Sequence, residues 1–210
     1  MKNILIGLSL TLAFAGPALA ADASAGKDKT MVCSACHGAD GNSLVPTFPK
    51  LAGQNQRYLL KQLNDIKSGA RPVPTMAGQL DNMSDEDLAN IAAYYASQAA
   101  SGGQADPAKI ALGAQVYRGG VSETGVAACG ACHGAAGGGN APAGFPALGG
   151  QHADYIAAQL RAFRTGGENT LEQNPAGRTN DGDARMMRDT ALRMTDNEID
   201  AVASFIAGLN

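Results

Sequence analysis

Two stretches of this chain carry the same helical spacing of apolar positions. In "YLLKQLNDI" the spacing places Tyr58, Leu59, Leu63 and Ile66 on one face, and in "YIAAQLRAF" it does the same for Tyr155, Ile156, Leu160 and Phe163. Each predicts an amphipathic helix stopped by glycine, Gly69 in the first and Gly166 in the second. A second pair, "MSDEDLANIAAYY" and "MTDNEIDAVASFI", announces its own starts. Ser84 with Asp87, and Thr195 with Glu198, have capping-box spacing, the shorter Asp making the first the weaker box. Met83 and Met194 stand where they can staple onto Leu88 and Ile199. No stretch of either copy alternates with a period of two, so the expected fold is all-α.

The pairing extends well beyond the helices. "FPKLAGQNQRYLLKQLNDIKSG" lies over "FPALGGQHADYIAAQLRAFRTG" with Phe, Pro, Leu, Gly, Gln, Tyr, Gln, Leu and Gly at matched places. The chain therefore reads as two copies of one domain, residues 21–100 and 108–210. The segment "SGGQADP", residues 101–107, serves as the linker, because Gly-Gly and Asp-Pro separate one helix from the next, expected over residues 109–117. Ahead of both copies, Lys2 precedes an apolar run from Ile4 to Ala15, and Pro17-Ala18-Leu19-Ala20 supplies small residues for cleavage. Residues 1–20 read as an export signal cut near Ala20, since the run is shorter than the roughly 20 residues that span a bilayer. The mature chain is expected to be soluble and exported.

Composition then poses a problem for such small domains. With five Phe, five Tyr and no Trp, each copy has a thin core unless something else fills it. The formal charge of −3 becomes one unit more negative once Lys2 is removed, which argues against nucleic acid as a partner.

All four cysteines lie in "CSACHG" and "CGACHG". Cys-x-x-Cys alone suits a disulfide redox pair, half a zinc site or a structural pair of thiols. The adjoining histidine selects the attachment sequence of c-type haem, in which Cys33 and Cys36, or Cys129 and Cys132, bond the vinyl groups and His37 or His133 ligates iron. Zinc needs four ligands, and each motif offers three. Two covalently bound haem c groups would also supply the apolar filling that the aromatics do not.

Each iron needs a ligand on its other face. Three histidines cannot furnish two bis-histidine haems, and the third, His152, stands opposite Asn55 in the repeat, which reads as a surface or interdomain position. Methionine remains. Met76 and Met187 each precede a capping serine or threonine by eight residues, and "PTMAGQL" and "ARMMRDT" look like loops presenting one side chain. They are the expected axial ligands, with Met186 able to substitute for its neighbour. Gap-filling in the core is the competing role for both. The carbonyls of Pro49 and Pro146 are the expected partners of the two histidine rings.

These features, together with "CHGADGNS", "FPKLAGQ", "YLLKQL", "GGQH" and "RTNDGDARMMR", make the chain resemble the dihaem cytochrome c4 family, a tandem class I c-type cytochrome, over nearly its whole mature length. The resemblance implies two all-helical haem domains related by a pseudo-twofold axis with propionate edges facing across the interface. It places the axial methionines on Met76 and Met187. It also implies an electron carrier, taking electrons from a quinol-oxidising complex toward a terminal oxidase. Closed Met-His ligation favours electron transfer over substrate chemistry. A dihaem subunit fixed to a dehydrogenase is the alternative, with a dihaem peroxidase behind it. Peripheral membrane association is compatible with the same features.

Overall fold

The computed structural model describes residues 21–168 and 177–209; the expected export signal, residues 1–20, lies outside them. The N-terminal copy runs through α1 (Ala23–Asp28), α2 (Met31–His37), α3 (Gln56–Lys67), a 3-10 turn (Pro74–Met76) and α4 (Asp85–Ala96). Residues 101–106 carry no helix. A 3-10 turn (Pro107–Lys109) then leads into α5 (Ile110–Gly119), α6 (Gly130–His133), α7 (Ala153–Gly167), α8 (Met186–Ala191) and α9 (Asp196–Ala207). Among the described residues there are no strands, only isolated bridges joining Val121 to Val126 and Asn140 to Phe145. No helix among them is long and apolar enough to cross a membrane.

Both capping boxes form. Ser84 Oγ accepts from the Asp87 backbone N–H at 3.1 Å while the Asp87 carboxylate accepts from the Ser84 N–H at 2.9 Å. Thr195 and Glu198 repeat the exchange at 3.3 and 2.7 Å, so aspartate closes the box as glutamate does. Lys29, 2.9 Å from Asp87, and the bonds from Ser84 hold that carboxyl down to about 2. Behind the boxes, Leu88 and Ile199 are fully buried, and Met194 joins Ile199 in one apolar cluster.

The first helix of each copy crosses the last at a glycine. A Cβ on Gly26 would stand 2.0 Å from the Asn90 carbonyl oxygen, and one on Gly113 would stand 2.3 Å from that of Ala201. Asn90 and Ala201 occupy matched places after their capping boxes, so the two crossings are the same contact made twice. Alanine normally stabilises a helix interior relative to glycine by about 0.5–1 kcal/mol. At this crossing the sign reverses. Gly113→Ala is expected to lower unfolding free energy by about 1–3 kcal/mol through overpacking, read as an earlier midpoint in denaturant with an unchanged slope.

Two expectations need correction. Gly166 does not stop its helix: α7 continues to Gly167, and Gly166 is small because a Cβ there would meet the Arg178 carbonyl at 2.2 Å. Gly69, by contrast, follows α3 and its C-cap Ser68 with φ 79°, as a stop glycine should. The "ARMMRDT" segment is not a loop but supplies most of α8. Asp181 builds that helix, accepting from the backbone N–H of Met187 at 3.1 Å and of Arg188 at 3.0 Å.

The copies meet across a seam whose glutamine and arginine bonds are paired by a pseudo-twofold. Gln54 donates to Ala147 O at 2.8 Å and accepts from Ala147 N at 2.9 Å. Gln151 does the same with Lys50, at 2.8 and 2.9 Å. Alongside, Arg71 donates to Gln62 of its own copy and to Tyr155 and Gln159 of the other. Arg178 mirrors it, reaching Gln159, Tyr58 and Gln62. His152 lies in this seam, its Nε2 2.8 Å from Ser43 O, which is the interdomain position expected of it.

Candidate functional site

Each Cys-x-x-Cys-His motif ends a short helix at a glycine of positive φ, Gly38 or Gly134, and the chain then folds back on itself. The return is pinned at a second glycine four residues after the histidine. Gly41 O accepts from Leu51 N at 2.7 Å, and Gly137 O accepts from Leu148 N at 2.6 Å. Gly41 has φ 83°, and a Cβ there would press on the Tyr95 ring at 2.7 Å, so no other residue fits without rearrangement. This pin lays the Phe-Pro segment across the histidine.

The consequence is the same in both copies. His37 Nδ1 lies 2.9 Å from Pro49 O, and His133 Nδ1 lies 3.0 Å from Pro146 O. A carbonyl can only accept, so Nδ1 carries the proton and Nε2 keeps its lone pair. Both rings are 7% exposed. Burial pushes their pKa below the ordinary histidine value against the opposing effect of the proline carbonyl, which keeps the imidazole neutral and able to bind a metal. Burial also raises the first thiol of each motif, Cys33 and Cys129, the latter to about 11, unlike the lowered pKa of a redox-active Cys-x-x-Cys.

Both motifs open onto one continuous cavity of about 1150 Å³ with mostly apolar walls. Cys33, Cys36, His37 and Met76 line its N-terminal part; Cys129, Cys132, His133 and Met187 line its C-terminal part. Met186 lines it as well, but is 48% exposed, whereas Met187 packs against the apolar cluster of its copy. Met76 sits at the end of a turn stiffened by Pro74, and Met187 in the first turn of α8. The two methionines thus line the cavity from different scaffolds.

Arg71 and Arg178 also line the cavity, 7% and 6% exposed. Among the described residues their hydrogen-bond partners are neutral amides and phenols, namely Gln62, Gln159, Tyr58, Tyr155 and Asn180. Against the burial that raises it, the two guanidiniums pull the Tyr58 phenol down, a measure of the positive field there. The residues present therefore fit two haem groups: paired thiols, neutral imidazoles, apolar walls, and two buried cations beside which carboxylate edges would be stabilised. The arginines and the two seam glutamines are absent from the expectations drawn from the sequence. The glutamines do stand at matched places in the repeat, the signal that could have found them.

The Cytochrome c family model matches twice, over residues 23–99 and 110–210, which defines a c-type cytochrome with two haem domains. Cytochrome c4 of Pseudomonas aeruginosa is 53% identical over the full length of both chains. The crystal structure of reduced recombinant cytochrome c4 from Pseudomonas stutzeri, 50% identical, superposes with a TM-score of 0.83 over 91% of this chain and 100% of that one. A thiosulfate dehydrogenase electron acceptor of Stutzerimonas stutzeri is 39% identical, over 85% of this chain and 79% of its own length. The chain belongs to the cytochrome c4 family. It is a dihaem electron carrier rather than an enzyme, with one covalent haem c on Cys33 and Cys36 and another on Cys129 and Cys132.

Proposed function

We propose that this cytochrome works in the periplasm, exported by residues 1–20, and carries electrons from a quinol-oxidising complex toward a terminal oxidase. Residues 21–100 and 108–210 are its two redox domains, joined by 101–107. His37 and Met76 are the axial ligands of the first iron, His133 and Met187 those of the second. Bound haem supplies a centre that gains and loses one electron. The protein's part is to hold each centre still: Pro49 and Pro146 fix the imidazoles, burial excludes water, and Arg71 and Arg178 offset negative charge between the copies.

One observation carries this assignment: matched Cys, His and Met sets line a single cavity across the seam, so both centres are neighbours within one chain. A second reading, a carrier dedicated to one dehydrogenase, is favoured by the relative named as a thiosulfate dehydrogenase electron acceptor. A redox titration followed optically is expected to show two one-electron steps per chain and no carbon monoxide adduct on reduction. In a reconstituted assay, quinol and its oxidising complex should reduce the chain and a terminal oxidase should reoxidise it. Reduction by a thiosulfate dehydrogenase alone would transfer the role to the second reading.

A further inference from the structure

The seam touches the histidines through single peptide groups. The Pro49 carbonyl that accepts from His37 belongs to the same peptide unit as the Lys50 N–H, which donates to Gln151 Oε1 at 2.9 Å. In the other direction, the Pro146 carbonyl that accepts from His133 shares its peptide unit with the Ala147 N–H, which donates to Gln54 Oε1 at 2.9 Å. Each glutamine is 8% exposed. Its oxygen is fixed by a second bond from the chain just after it, Asn55 N at 2.9 Å for Gln54 and His152 N at 3.1 Å for Gln151. Turning either amide over would set NH2 against two N–H donors, so the orientation is determined.

We propose that Gln54 and Gln151 are crossed positioning residues: each one, from its own domain, sets the strength of the hydrogen bond that orients the histidine of the other domain. This rests on reading His37 and His133 as iron ligands. The physics is hydrogen-bond cooperativity through amide resonance. An acceptor on the N–H draws electron density toward the carbonyl oxygen, which becomes a stronger acceptor for the imidazole Nδ1–H. An imidazole that donates more strongly is a more basic ligand and favours oxidised iron. Gln151 therefore lowers the potential of the N-terminal haem, and Gln54 that of the C-terminal haem. A side chain in one domain addresses the iron in the other.

The test is made on the full-length dihaem protein. Gln151→Leu is expected to move one redox step to more positive potential and the His37 Nδ1–H proton resonance of the reduced protein upfield, leaving His133 unmoved. Gln54→Leu should move the other step and the other resonance. Loosening of the seam alone would move both steps in each variant, and that result, or two unmoved resonances, overturns the proposal. Should a leucine variant fail to accumulate, Gln151→Glu keeps an acceptor on Lys50 N–H; its His37 resonance should move downfield, and an upfield shift overturns the proposal. In the oxidised unmodified protein both histidine rings should show hyperfine shifts. Their absence refutes the ligand assignment itself, whereas shifted rings insensitive to both glutamines refute only the crossed coupling.

Discussion

A chain in which Cys33 and Cys36 are both serine is expected to carry one haem instead of two and to lose most of the helix in its N-terminal half. The reason is the size of what remains. The buried apolar cluster there consists of Leu59, Ile91, Ala92, Tyr94 and Tyr95, contributed by α3 and α4 alone. Its C-terminal counterpart joins α5, α7 and α9 through Val116, Tyr117, Ile156, Leu160, Val202 and Phe205, among others. Leu59, Ile91, Ala92 and Tyr95 also line the cavity, so most of the small cluster loses packing partners when the porphyrin is lost. The matching Cys129→Ser, Cys132→Ser chain should lose the same amount of haem but keep more helix. Haem per chain and far-ultraviolet circular dichroism read both effects. Two haems per chain in either variant would refute the attachment sites, and equal helix loss would refute the difference in cores.

The second large effect concerns the methionines. Met76→Ala is expected to remove one of two Met–iron absorption signatures and to lower one potential by something on the order of tenths of a volt, a fraction of the roughly 0.8 V range that axial ligands command. The other step should hold its place. Met187→Ala should act on the second step in the same way, while Met186→Ala should leave both signatures intact because that side chain is half exposed and its neighbour is packed. Two unchanged steps in Met76→Ala would sink the assignment.

Much of this was legible in the sequence where the chemistry is local. The haem attachment motifs, the capping boxes and the proline carbonyls behind each histidine all depend on residues within about a dozen positions of one another. Gly166 was harder, because a glycine that stops a helix and one that admits a neighbouring backbone look alike in one dimension. α8 is six residues long, too short to display a period, and depends on Asp181 from the preceding loop. Arg71 and Arg178 stand at different distances from their histidines, since the intervening stretches of sequence differ in length, so the repeat does not align them. Gln54 and Gln151 do align, yet their partners lie in the other copy and nothing near them in the chain names those partners.

The seam has the form of an isologous dimer contact at its centre, where the glutamine and arginine bonds are answered by their symmetry mates. Separate subunits joined by so polar a surface would associate weakly. A short tether changes that, because it holds the second copy at an effective concentration in the millimolar range. Fusing the two halves thus relieves the contact of any need for an oily patch, and leaves it free to be built from amides, phenols and guanidiniums.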